Sequence, residues 1–155
     1  MASEFLRNLI KDQNTSLHLE ARSKQDVIKE IAYKISQIKK NLKEDEIFEG
    51  LQEREAKAST GVDLGVAIPH TSLNKISETE LYFFLSPHGI EFSSIDSELS
   101  YLFFVILSPK TPKKPHISSL KIMADICRTM RVDNVRFKMK AAKDLNEILQ
   151  ILESP

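Results

Sequence analysis

Two stretches constrain the fold of this chain more than any others: ELYFFLS at residues 80–86 and SYLFFVILS at residues 100–108. Both are aromatic and β-branched, and both are bounded by Pro or Ser, the pattern of buried strands. The run YLFFVIL is far too short to cross a bilayer. A shorter apolar segment, Val66 to Ile68, reads as a third strand. Pro69 ends its ladder by removing a donor.

Helical patterns surround these strands. Residues 23–40 place Val27, Ile28, Ile31, Ile35 and Ile38 at helical spacing. Ser23 fits the N-cap, with Asp26 as a capping-box variant. Residues 43–57 form a second helix that buries Ile47, Phe48 and Leu51 and carries EREAK towards its end. Pro115 suits the first turn of a third, whose stripe is Leu120, Met123, Ala124, Cys127 and Met130. A last helical segment holds Leu145, Ile148, Leu149 and Leu152. PHGIEFSSIDSE, between the two long strands, reads as a hairpin-like excursion. Helices alternating with short strands give an α/β (α+β) class, a mixed β-sheet covered by helices. No repeat or linker splits the 155 residues, so residues 1–155 read as a single domain.

Charge narrows the choice of partners. The 22 basic and 22 acidic residues cancel, so no overall field recruits nucleic acid or an anionic membrane. The N-terminus lacks a basic start and an apolar core, and Cys127 is the only cysteine. A soluble, cytoplasmic protein without disulfides is expected.

Four histidines, His18, His70, His88 and His116, carry most of the chemical interest. Their spacing matches no zinc signature, and the chain holds no HExxH, phosphate-cradling GK[ST] ending or GxSxG elbow. No metal or cofactor is called for. His70 follows the strand and Pro69, where a neutral imidazole could take up a group covalently. The alternative is a surface histidine after a turn proline, and residue chemistry alone favours it. His116 sits at the start of the third helix, where backbone amides attract anions. Arg54 by itself reads as part of a solvated helix face.

Taken together, these residues resemble a known family. EREAKASTGVDLGVAIPH is similar to the signature segment of enzyme IIA domains of the bacterial phosphoenolpyruvate-dependent phosphotransferase system, of the fructose/mannitol/nitrogen-regulatory type. The matching residues are Arg54, Glu55, Thr60, Gly61, Gly65, Ala67, Ile68, Pro69 and His70. Further landmarks are Ile90, Phe92 and Asp96 in GIEFSSID, and His116 and Leu120 in HISSLKIMA.

The resemblance implies a mannitol-type enzyme IIA fold, with His70 as phosphoryl acceptor and Arg54 and His116 as the phosphate-stabilising pair. It implies an HPr-type phosphocarrier as donor. The group would then pass to an enzyme IIB cysteine in sugar transport, or stay as a nitrogen-regulatory signal read by a target protein. A docking module that signals without onward transfer is the alternative from another class. Neither cofactor nor metal enters this scheme. The chain departs from the family at three places. Thr71 stands where many relatives have Gly, and Asp63 and Leu64 replace Gly and Asn. The loop before His116 is basic, with Lys110, Lys113 and Lys114. Asp63 would repel a phosphoryl group if it pointed inward. Together, Asp63 and Thr71 also motivate the reading of a relative that has lost phosphorylation, against which stand Arg54, His70 and His116. His18 and His88 match no landmark and read as structural or surface residues, and Cys127 reads as core.

Overall fold

A computed structural model describes residues 3–10 and 17–153. Among these residues, six helices and four strands follow in the order α1 (Glu4–Ile10), α2 (Lys24–Ile38), α3 (Glu44–Lys57), β1 (Val66–Ala67), β2 (His70–Leu73), β3 (Glu80–Ile90), β4 (Ser100–Pro109), α4 (Ser119–Met130), α5 (Asp133–Lys140) and α6 (Leu145–Glu153).

The strand β4 lies at the centre of the sheet. It pairs antiparallel with β3 on one side, and parallel with β1 and then β2 on the other. Alternation along these strands divides the apolar side chains between two layers. Val66, Leu81, Phe83, Leu102, Phe104 and Ile106 face α1, α4, α5 and α6. Ala67, Tyr82, Phe84, Phe103, Val105 and Leu107 face α2 and α3. Both faces of the sheet are therefore covered, the arrangement the two apolar runs required. Edge-on aromatic pairs occur in each layer, Phe83 with Phe104 at 4.9 Å and Phe92 with Phe103 at 5.3 Å between ring centres.

Pro69 interrupts the edge strand without ending it. Its missing N–H breaks the ladder for two residues, yet its carbonyl still accepts from Ile106 N at 3.0 Å. Val66 lies opposite Leu102 and His70 opposite Ile106, so β2 resumes the register that β1 left. His70 thus stays in the sheet as the first residue of β2, which corrects the expectation that the strand stops at the proline. Outside β1, Gly61 bridges Ala67, with Ile68 N donating to Thr60 O at 2.9 Å and Val62 N to Val66 O at 2.9 Å.

Ser23 caps α2, its hydroxyl accepting from Asp26 N at 3.2 Å. The helix stops at Ile38, two residues short of the sequence reading. In α3, three acidic residues occupy the first turn and Arg54 and Lys57 the last, each suited to the helix dipole. Ile47 and Leu51 are buried there, and Phe48 packs partly buried against the same layer.

Two further expectations need correction. Pro115 does not start α4. Ser118 is the N-cap, accepting from Lys121 N at 3.1 Å, and Thr79 Oγ1 holds the Ile117 carbonyl at 2.6 Å in the preceding stretch. With the later start, the core face is Ile122, Ile126, Thr129 and Met130. Met123 and Cys127 flank it, while Leu120 is 78% exposed and Ala124 also faces solvent. Nor is PHGIEFSSIDSE an excursion from its first residue, because β3 continues to Ile90 after a register shift beyond Leu85. α1 and α5 lie outside the sequence reading. The seven residues of α1 bury only Leu6 and Ile10, and α5 buries only Met139.

Candidate active site around His70

The last turn of α3 and the first residue of β2 bring Arg54 and His70 together. His70 is partly buried. Its Nδ1 lies 2.8 Å from the Ile68 carbonyl, and its Nε2 lies 3.2 Å from Arg54 Nε. A carbonyl only accepts and a guanidinium only donates, so the proton resides on Nδ1 and the lone pair on Nε2. Arg54 is held from its other end as well, Nη1 donating to Ala58 O at 2.8 Å.

Burial lowers the basicity of His70 below the usual histidine range. The Arg54 guanidinium lowers it further, while the Ile68 hydrogen bond and the Glu55 carboxylate pull the other way. The ring is neutral at neutral pH, with its nucleophilic electron pair at Nε2.

The imidazole opens on a cleft of about 670 Å³. Glu46, Glu49, Glu53, Arg54 and Lys57 line its α3 side; Ser72, Ser108, Lys110, Ser119 and Met123 are among those opposite. Gly50 and Thr71 meet at its floor. A Cβ added to Gly50 would lie 3.0 Å from both Cγ2 and Oγ1 of Thr71, so the close approach of α3 to β2 depends on that glycine.

Other residues singled out from sequence fall elsewhere. His116 is exposed in the stretch before Ser118 and is not among the residues lining the cleft. It does not begin α4, because that helix is capped two residues later. Asp63 is also absent from the lining; its charge bears on Cys127, whose thiol is pushed up first by burial and then by Asp63. The Asp96 carboxylate accepts from Leu64 N at 3.0 Å and Glu98 N at 3.1 Å, and these amides, Glu98 foremost, hold it below the usual carboxylate range. It braces the turn before β1. Of the basic loop, Lys110 reaches the cleft, while Lys114 pairs with Glu78 at 2.9 Å. The backbone at His18 bridges Leu85, and His88 is exposed, both structural or surface positions. Among the described residues, no group of three or more His, Cys, Asp or Glu side chains is placed to hold a metal ion. No helix among them is long and apolar enough to cross a membrane.

The fold and this histidine–arginine pair define a mixed α/β protein with a neutral, partly buried imidazole at the edge of its sheet. Residues 8–154 match the family described as "Phosphoenolpyruvate-dependent sugar phosphotransferase system, EIIA 2". A nitrogen regulatory protein of Bradyrhizobium diazoefficiens is 32% identical over 137 residues, covering 88% of this chain and 87% of that one. A fructose-specific EIIA component of the phosphotransferase system from Haloferax volcanii is 32% identical over 108 residues, or 70% of this chain and 68% of its own. In fold, the chain is similar to the nitrogen regulatory protein IIA-Ntr of Neisseria meningitidis, with a TM-score of 0.82 at 21% identity, over 96% of this chain and 99% of that one. The chain belongs to the type 2 enzyme IIA family of the phosphotransferase system.

Proposed function

We propose that this chain is a phosphocarrier in which Nε2 of His70 accepts a phosphoryl group from an HPr-type donor, in a nitrogen-regulatory role. The observation that carries this reading is the state of the ring: Nδ1–H fixed on the Ile68 carbonyl, Nε2 unprotonated and facing Arg54. In the transfer step the Nε2 electron pair attacks phosphorus. The N–P bond to the donor histidine breaks, and its electron pair returns to the donor ring nitrogen. Forming the new bond uses up the lone pair that Arg54 Nε contacts. The guanidinium therefore moves its hydrogen bonds to the phosphoryl oxygens, still tethered at Ala58. Little covalent work falls to the protein in such a transfer, so position and charge carry the rate. His116, exposed in the stretch before Ser118, is proposed as the second stabilising group.

Incubation with phosphoenolpyruvate, enzyme I and HPr, followed by mass-spectrometric mapping of acid-labile phosphate, tests the reading. Label is expected on His70 and absent from His70→Ala. Replacing Arg54 by Met is expected to slow acceptance on the order of 10²-fold, the typical loss of one preorganised donor. Absence of label on His70 under conditions that label a known enzyme IIA would overturn the reading.

The relative from Bradyrhizobium, matched over most of both chains, supports the regulatory role. The fructose-specific relative favours a second reading, transfer onward to an enzyme IIB cysteine. The two separate on rescue. If His70→Asp restores function to cells lacking the protein, a charge signal suffices; if it does not, phosphoryl flow is needed.

A further inference from the structure

Behind Arg54 and His70 lies a cluster that the phosphoacceptor scheme leaves without a role. Glu55, 8% exposed on α3, accepts from Thr60 N at 2.7 Å through Oε1 and from Thr60 Oγ1 through Oε2. Lys24, the first residue of α2, reaches the same Oε1 at 3.0 Å. Its ammonium also donates to Ser59 Oγ at 3.4 Å and the Phe92 carbonyl at 3.3 Å, and lies 4.6 Å from the centre of the Phe92 ring. The connection continues towards the site. Thr60 O accepts from Ile68 N at 2.9 Å, and Ile68 O accepts from Nδ1 of His70 at 2.8 Å.

We propose that Glu55 is a positioning residue for His70, fixing the imidazole tautomer through Thr60 and Ile68, and that Lys24 is the counter-charge that lets a carboxylate do this beside a phosphoryl site. The inference rests on the phosphoacceptor reading for its purpose, but its geometry concerns the unmodified protein. Thr60 needs an acceptor for its N–H and another for its hydroxyl, both buried. One carboxylate supplies both from a single rigid helix position. An unpaired carboxylate there would be doubly unfavourable, being desolvated and repelling an incoming dianion. Lys24 offsets that charge, so the contact of Arg54 with Nε2 is not opposed by an uncompensated carboxylate.

The two halves of the pair predict opposite electrostatic effects, which a general loss of structure does not. Glu55→Gln preserves an acceptor for Thr60 N and can donate to its hydroxyl, while removing the negative charge. Its His70 is expected to titrate at lower pH than wild type. Lys24→Met leaves the carboxylate uncompensated, and its His70 is expected to titrate at higher pH. The double variant is expected to fall between them. The remaining charged groups of the cleft on which the imidazole opens (Glu46, Glu49, Glu53, Arg54 and Lys57 of α3, and Lys110 after β4) are unchanged in all of these variants.

The experiment is nitrogen-15 NMR of the His70 ring across pH in the four proteins, with Glu55→Ala as a fifth. Wild type and Glu55→Gln are expected to hold the Nδ1–H tautomer, and Glu55→Ala to show a mixture of both. Direct phosphorylation by phosphoramidate, whose P–N bond breaks to release ammonia as the His70 N–P bond forms, gives the functional arm. Glu55→Ala is expected to react about tenfold to a hundredfold more slowly, as for a displaced reacting group. Shifts of the same sign in Glu55→Gln and Lys24→Met, or an unchanged tautomer in folded Glu55→Ala, would overturn the proposal. If the ring behaves as described yet wild-type His70 takes no phosphoryl group from phosphoramidate or HPr, the positioning unit stands and the phosphoacceptor reading falls.

Discussion

At the residue scale, His70 is governed by two neighbours that ask opposite things of its two nitrogens. The Ile68 carbonyl keeps a proton on Nδ1, and Arg54 keeps one off Nε2. Because burial and Arg54 depress its pKa, the folded protein binds this proton less readily than the unfolded chain. The sign follows from linkage: the stability is fully present above the ordinary histidine pKa, about 6.5. It falls as pH drops through that value towards the lowered one, where the folded state also takes up a proton. His70→Asn is expected to flatten that part of the stability profile in urea unfolding from pH 8 to 5, and phosphoryl acceptance by wild type is expected to stay high below pH 6.5 until Nε2 is protonated. Six residues upstream, Leu64 has φ 60°, a left-handed conformation that a γ-branched side chain adopts at a cost. The family pattern places Asn there, which enters that region more readily. Leu64 is 39% exposed, so little apolar burial opposes the change. Leu64→Asn is expected to stabilise the protein by about 0.5–1 kcal/mol, read from the urea midpoint at unchanged slope.

At the element scale, what could be read from sequence was set by how local each cause is. The cap of α2 and the periodicity of α2 and α3 are local, as are the apolar runs of β3 and β4, and these elements stand within a few residues of expectation. The continuation of the edge strand through Pro69 is not local, because it depends on β4 offering the same register on both sides of the proline. The late start of α4 depends on Thr79, thirty-eight residues away from the carbonyl it holds. The same distinction runs through the site. Arg54 and His70 lie on a motif, and the structure brings them together; Lys24 has no sequence signal linking it to Glu55, and His116 is exposed where a helix start was expected. The packing of α3 on β2 offers a test of an element pair. Gly50→Ala gains up to about 1 kcal/mol of helix propensity. It also forces a methyl against Thr71 at 3.0 Å, the kind of overpacking that costs about 1–3 kcal/mol. A net loss is expected, and Thr71→Ala in the same chain is expected to recover most of it, a coupling measurable in a double-mutant cycle.

At the scale of the whole molecule, one strand belongs to both halves of the core. Phe103 and Phe104 are neighbours in β4, both fully buried, yet the first packs in the α2–α3 layer and the second in the layer of α1, α4, α5 and α6. His70 sits opposite Ile106 of the same strand, so the edge that bears it cannot loosen without disturbing a ladder that both layers share. Neither layer is then free to melt by itself. Phe103→Ala and Phe104→Ala should each remove about 3–5 kcal/mol, the usual loss for emptying a buried aromatic site. More informative than the size is the coincidence of probes. In either variant, helical circular dichroism and the NMR signals of the His70 ring are expected to report the same urea midpoint, as one cooperative transition requires. Separate midpoints would mean that the edge bearing His70 is a distinct folding unit, and that the proposed phosphoryl acceptor can be switched off by local opening while the rest of the fold survives. The shared ladder argues for the first outcome, in which the His70 site is as stable as the sheet that carries it.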